Sequence, residues 1–173
     1  MTEFNLLTFA QGKSRAETDT TLYFNEDASN RAIAATELDE NGERYVKDRD
    51  AFDAARAEVK ASGVVIHLKG LDEGRVDEIR AEHNIEAGSE LTSDLTDEKF
   101  EGYLVAILVE AFDKAVPVAG DADTTKKTSD AWFEFKKAAP ASQWSKLLHS
   151  VLDIIFVSFI IDEAVDAGFL ADS

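Results

Sequence analysis

The sequence contains no cysteine, which excludes disulfides, thiolate metal sites and cysteine nucleophiles together. Basic residues are scarce: 18 Lys and Arg face 35 Asp and Glu, the formal net charge is −17, and the pI lies near 4.4. Surfaces that grip phosphates or anionic lipid rest on clustered Lys and Arg, so nucleic acid and membrane are not expected as partners. Only three histidines are present. His67, His83 and His149 fall on different predicted elements and none shows HExxH or ExxH spacing, so no metal centre is expected. The nine glycines are scattered, without GxxxxGK[ST], GxGxxG or GxSxG, which leaves no phosphate-cradling loop and no nucleophile elbow. Long apolar runs are also missing. Leu147 to Ile161 is broken by His149, Ser150, Asp153 and Ser158 and is shorter than the ~20 residues needed to cross a bilayer. The N-terminus has Glu3 and lacks the basic and apolar regions of a secretory leader, so the expected location is cytoplasmic.

What is present suffices for a core: 45% of residues are hydrophobic, well above the disordered range. The acidity is uneven. Residues 1–70 hold 13 acids and 9 bases, residues 71–130 hold 16 and 6, and residues 131–173 hold 6 and 3. The excess therefore sits in the middle of the chain.

Patterning predicts a mainly α fold with a small N-terminal α+β portion and a helical C-terminal half. Three segments are expected: an N-terminal arm over 1–19, an α+β unit over 20–70 and a helical domain over 71–173. Thr20 to Asn25 reads as a strand and Asp27 to Leu38 as a helix. Asn41-Gly42 marks a turn, and a second helix runs from about Lys47 to Ala61 with Phe52, Ala55 and Val59 on one face. Val64 to Lys69 alternates like a half-buried strand. Asp72 and Glu73 open a helix bearing Val76, Ile79 and His83. Thr96 is the expected N-cap of the next, whose stripe of Phe100, Tyr103, Leu104, Ile107, Leu108, Ala111 and Phe112 runs on until Pro117. Ser129 is read as the cap of a short helix through Ala139, and Pro140 as the first turn of the last. From Val151 to Ile161 that last helix is apolar almost all round, so it must be central or shared with another chain.

No chemical motif in the sequence is complete. Asp121-Ala122-Asp123 begins like a calcium loop, but Lys126 stands where glycine is needed and Trp132 where the twelfth-position glutamate belongs. Pairs such as Glu98/Glu101 and Asp72/Glu73 read as solvated helix faces, so catalysis and cofactors are not expected. Aromatic and aliphatic anchors dominate interfaces, which makes Trp132, Phe133, Trp144, Val151, Ile155, Phe156 and Phe159 the candidate partner-binding residues.

The order of landmarks resembles the tail assembly chaperones of long-tailed phages of actinobacteria. Thr21-Leu22-Tyr23-Phe24-Asn25-Glu26-Asp27, then Ala55, Ala57 and Glu58 leading into Val64-Val65-Ile66-His67-Leu68-Lys69-Gly70-Leu71, is similar to that family's N-terminal half. Val76, Ile79 and His83 fall on its W-x-x-L-x-x-x-H helix, with valine in place of tryptophan. Phe100 to Pro117 is similar to its F-x-x-x-L-I segment. Pro140-Ala141-Ser142-Gln143-Trp144-Ser145-Lys146-Leu147-Leu148 is similar to its S-x-x-(Q/E)-W-x-x-L segment. The resemblance spans about residues 20–155 and implies a non-enzymatic factor that coats the tape-measure protein in the host cytoplasm before tail-tube polymerisation. It implies the tape-measure protein and further copies of the chain as partners. Two other readings remain open from the residues: a structural connector or tail subunit of the virion, and an acidic mimic of DNA that occupies another protein's channel.

Overall fold

The structure, a computed structural model, describes residues 17–87 and 93–155. In chain order these form β1 (Glu17–Tyr23), α1 (Glu26–Ala34), β2 (Thr36–Leu38), β3 (Arg44–Val46), α2 (Arg49–Ala61), β4 (Gly63–Lys69), α3 (Glu73–Glu82), α4 (Glu98–Ala111), β5 (Phe112–Pro117) and α5 (Ser129–Ala138). A last helix, α6, occupies 141–155.

The fold is mixed α+β, which corrects the expectation of a mainly α chain with a helical C-terminal half. Among the described residues 53% are helical and 20% lie in two small antiparallel sheets. The larger sheet has the order β1-β4-β5, so a strand from the second half of the chain completes the sheet begun in the first. Thr20 faces Ile66 and Leu22 faces Val64 across β1 and β4, while Ile66 faces Ala115 across β4 and β5. The register shifts between His67 and Leu68, which brings Leu68 opposite Phe112. The apolar stripe that reads as helix through Phe112 thus ends one residue early. Phe112 adopts extended angles (φ −60°, ψ 122°), and Pro117, with no N–H to donate, closes β5, where an edge position tolerates it.

Each edge of this sheet is met in part by other elements. On β1, the Tyr23 amide donates to Gln143 Oε1 at 2.9 Å and the Thr21 carbonyl accepts from Lys146 Nζ at 2.6 Å. On β5, Ala115 exchanges two backbone hydrogen bonds of 2.8 Å with Asp123.

One hydrophobic cluster unites Leu22, Ile66, Leu68 and Phe112 of the sheet with Val76 and Ile79 of α3, the apolar faces of α4 and α6, and Trp132 of α5. Helix α4 is its centre. Phe100, Glu101, Tyr103, Leu104, Val105, Ile107, Leu108 and Ala111 are all buried, and truncating one of these large side chains costs ~2–5 kcal/mol. Helices α1 and α2 pack chiefly on each other, burying little but Ala28 and Ala55. They are tied to the sheet by Ser62, whose hydroxyl accepts from the Phe24 and Asn25 amides at 3.1 Å each and donates to the Val59 carbonyl at 2.7 Å.

Helix starts account for part of the acidity. Asn25, Asp48, Asp72, Asp97 and Thr128 each cap a helix by accepting from an amide of its first turn, and every one of those first turns carries an acid. Carboxylates there offset the positive end of the helix dipole. Asp97 rather than Thr96, and Thr128 rather than Ser129, occupy the cap positions, because their side-chain oxygens reach the Phe100 and Ala131 amides.

Candidate functional site

The candidate partner residues gather where α5 and α6 meet α4 and the start of β5. Trp132, Trp144 and Val151 are 3%, 5% and 0% exposed, so the folded chain withdraws all three from any partner. Trp132 stands edge-on to Phe112 and to Phe135, with centroids 5.5 and 5.6 Å apart. Phe135 in turn meets Phe24 edge-on at 5.8 Å and Trp144 at 6.4 Å. Such edge-to-face pairs each add ~0.5–1.5 kcal/mol beyond area burial. The aromatics therefore act as a seam between the sheet and the last two helices. Phe133 and Ile155 are half-buried against the same cluster. Phe156 and Phe159 lie outside the described residues.

At the middle of this seam is a residue that the sequence reading assigned to solvent. Glu101 is only 7% exposed. Its carboxylate accepts from Trp144 Nε1 at 2.7 Å and from Lys136 Nζ at 2.7 Å, so one side chain of α4 ties down both α5 and α6. The signal was present in the spacing: Glu101, Leu104, Val105 and Leu108 recur at helical intervals, which puts Glu101 on a buried stripe rather than on the solvated face. Trp132 makes the contrast. Its Nε1 is buried and has no hydrogen-bond partner among the described residues.

A second polar cluster joins α3 to α4. Arg75 Nε donates to both Glu110 oxygens at 2.9 Å, and Nη1 donates to Glu78 at 2.7 Å. The arginine hydrogen bond holds the Glu110 carboxyl below the usual range, and the paired carboxylates push the Arg75 guanidinium above its ordinary value. In the 121–128 loop the hydrogen bond from Lys127, with backbone help from Thr125, draws Asp123 down to about 2. The calcium-like run thus commits its Asp123 carboxylate to its own lysine, 2.6 Å away. On the sheet, His67 Nδ1 lies 2.6 Å from Asp19 Oδ1 across β1 and β4.

Among the described residues no group of three His, Asp or Glu side chains could hold a metal ion, and no helix is long and apolar enough to cross a membrane. Open concavities among the described residues include two beside α1. One of about 460 Å³ lies at the start of α1, lined by Phe24, Asn25, Glu26, Asp27 and Ser62. The other, about 470 Å³, lies between α1 and α2 and is floored by Ala34, Ala35, Ala51 and Ala54. In the first, the Ser62 hydroxyl donates to the Val59 carbonyl rather than to Glu26 or Asp27; the second is walled by alanines with Arg31, Lys47 and Asp48 at its rim. No family model, curated protein or solved structure matches this chain.

Proposed function

We propose that this protein is a non-enzymatic tail assembly chaperone, which binds a tape-measure protein and keeps it soluble until the tail tube polymerises around it. One observation carries the reading. Six of the landmarks that carry the family resemblance, Ile79, Phe100, Leu104, Trp144, Leu147 and Leu148, belong to one hydrophobic cluster. That part of the likeness lies in residues that determine a fold and position one another. The net charge of −17 adds to it, since coated complexes that share a strong charge of one sign repel each other and stay dispersed.

The partner would be a long helical protein with apolar faces, met in the host cytoplasm, and further copies of the chaperone would line up along it. Co-expression tests this. A tape-measure protein made alone is expected in the insoluble fraction, and made together with this chain it is expected to be soluble and to co-purify with it. A tape-measure protein that stays insoluble in the presence of well-folded chaperone overturns the reading. Stoichiometric protein in purified virions would favour a structural tail subunit instead.

A further inference from the structure

The three-stranded sheet has two distinct faces, because side chains alternate along each strand. Leu22, Ile66, Leu68 and Phe112 share one face and join the cluster built with α3, α4, α5 and α6. The opposite face carries Thr21 and Tyr23 of β1, Val65 and His67 of β4, and Lys114 and Val116 of β5, and none of these belongs to that cluster. Helices α1 and α2 pack chiefly on each other rather than on these strands. Helix α6 reaches the rim through Lys146, whose Nζ stands 5.7 Å from the centre of the Tyr23 ring. Among the described residues this second face therefore has no packing partner.

The register sorts it into rows that cross the sheet. Thr21, Val65 and Val116 form one row. Tyr23, Gly63 and Val118 form the next: the Val118 amide donates to the Gly63 carbonyl at 2.9 Å, and Val118 Cγ2 and Tyr23 Cε1 flank the side of Gly63 from which a Cβ would project. Val118 is 62% exposed. On the other side of the valine row lie Asp19, His67 and Lys114, with an acid on one outer strand and a base on the other. Asp19 gives one oxygen to His67 at 2.6 Å, yet 62% of its side chain stays accessible.

We infer that this face docks on the same face of a second copy, about a two-fold axis running along β4. Charge selects both the occupant and the axis. Rotation about an axis along the strands carries each row onto itself and exchanges β1 with β5. Asp19 of each copy then meets Lys114 of the other, Val65 meets Val65 at the centre, and Tyr23 meets Val118 on both sides. An axis across the strands would instead set the Tyr23 row against charges. Sheets that pack face to face align in the former way. Contact centred on the valine row leaves Glu17 and Lys69, the last pair of β1 and β4, at the rim in water. Three strands ~4.8 Å apart and ~20 Å long offer roughly 300 Å² of sheet, well under the ~800 Å² per partner of a stable complex. The dimer is accordingly transient and forms at high concentration. The inference concerns the chain by itself and holds whether or not it binds a tape-measure protein.

Sedimentation of the full chain from micromolar to near-millimolar concentration tests it, in about 0.15 M salt so that the net charge is screened beyond ~8 Å. The average mass is expected to rise from monomer toward dimer. Val118→Asp, altered at an exposed position, and Lys114→Glu, which sets an acid against Asp19 of the second copy, each weaken the dimer at least about tenfold. Asp19→Lys weakens it too, although it makes the chain less negative, and Asp19→Lys/Lys114→Glu restores it. General repulsion between acidic chains predicts the opposite for Asp19→Lys. In the wild type, amide resonances of residues 19–23, 63–67 and 114–118 are expected to shift with protein concentration, which locates the contact without any substitution. A chain monomeric throughout, a dimer that Val118→Asp leaves intact or Asp19→Lys strengthens, or shifts centred elsewhere overturns the inference.

Discussion

Replacing Glu101 by alanine asks how much the buried carboxylate holds α5 and α6 against α4. In the wild type its oxygens take hydrogen bonds from Trp144 Nε1 and Lys136 Nζ. Truncation affects the two donors differently. The Lys136 side chain is 43% exposed and recovers water, so its loss is small, as for most accessible ion pairs. Trp144 is only 5% exposed, and its indole N–H is left without an acceptor; a buried donor so stranded costs about 1–3 kcal/mol. Adding the lost charge-assisted bond, Glu101→Ala is expected to cost about 2–3 kcal/mol, a large share of a typical 5–15 kcal/mol total. Glu101→Gln keeps an oxygen for the indole and should cost about 1 kcal/mol, and Lys136→Met less again. Urea unfolding followed by tryptophan fluorescence measures the series, since both tryptophans of the chain are buried. In a Trp144→Phe background the alanine substitution should become cheaper by about 1–2 kcal/mol, the coupling between the pair. Alanine and methionine variants of equal stability, with no coupling in the cycle, would refute the reasoning.

Three further outcomes follow from the same geometry. A methyl group at Gly63 would lie 3.0 Å from the Lys60 carbonyl, 3.1 Å from Val118 Cγ2 and 3.2 Å from Tyr23 Cε1, so Gly63→Ala is expected to destabilise by about 1–3 kcal/mol in the same urea assay. Trp132→Phe removes an N–H that has no partner among the described residues and should cost at least about 1 kcal/mol less than Trp144→Phe, which removes a bonded one. Stability should also fall in acid. Arg75 holds the Glu110 carboxyl, and Lys127 the Asp123 carboxyl, below the ordinary carboxylate range, so their contributions are complete above that range and disappear as pH falls through the lower folded values. Arg75→Met, which deletes the main cause of the Glu110 shift, should flatten the dependence of the urea midpoint on pH below 4.5. A carboxyl titration of Asp123 by NMR should have its midpoint at about 2, and a midpoint near 4 would mean that Lys127 does not hold it.

Local elements were largely legible because their signals are local. The strand at Val64–Lys69 alternates, the helix opened by Asp72 carries its cap beside its first turn, and Asn41-Gly42 does form the predicted turn. What escaped depends on distant partners. Phe112 continues the helical stripe of α4 perfectly well in sequence, and becomes a strand residue because β4 offers a ladder 44 positions back, at Leu68. Thr36-Glu37-Leu38 lacks the β-branched pattern of a strand and is one only because Arg44–Val46 folds back on it. The candidate site was half legible. Trp132 and Trp144 stood out as anchors, but composition cannot tell an interface aromatic from a core aromatic; that decision came from Phe112, Phe135 and Phe24 packing around them. Glu101 was hidden by its charge, since a carboxylate on an apolar stripe makes sense only once the Trp144 indole is opposite it. The exposed apolar side chains of the hairpin were not legible at all, because Ile33 and Leu38 look like ordinary helix-face residues until the helix ends at Ala34.

The central claim is that this acidic chain binds a tape-measure protein and keeps it dispersed. Light scattering of the co-expressed, co-purified material, separated by size, addresses it most directly. The account predicts a discrete soluble complex containing one tape-measure chain and several copies of this protein. A tape-measure protein found only in aggregates, with this protein eluting by itself, would contradict it.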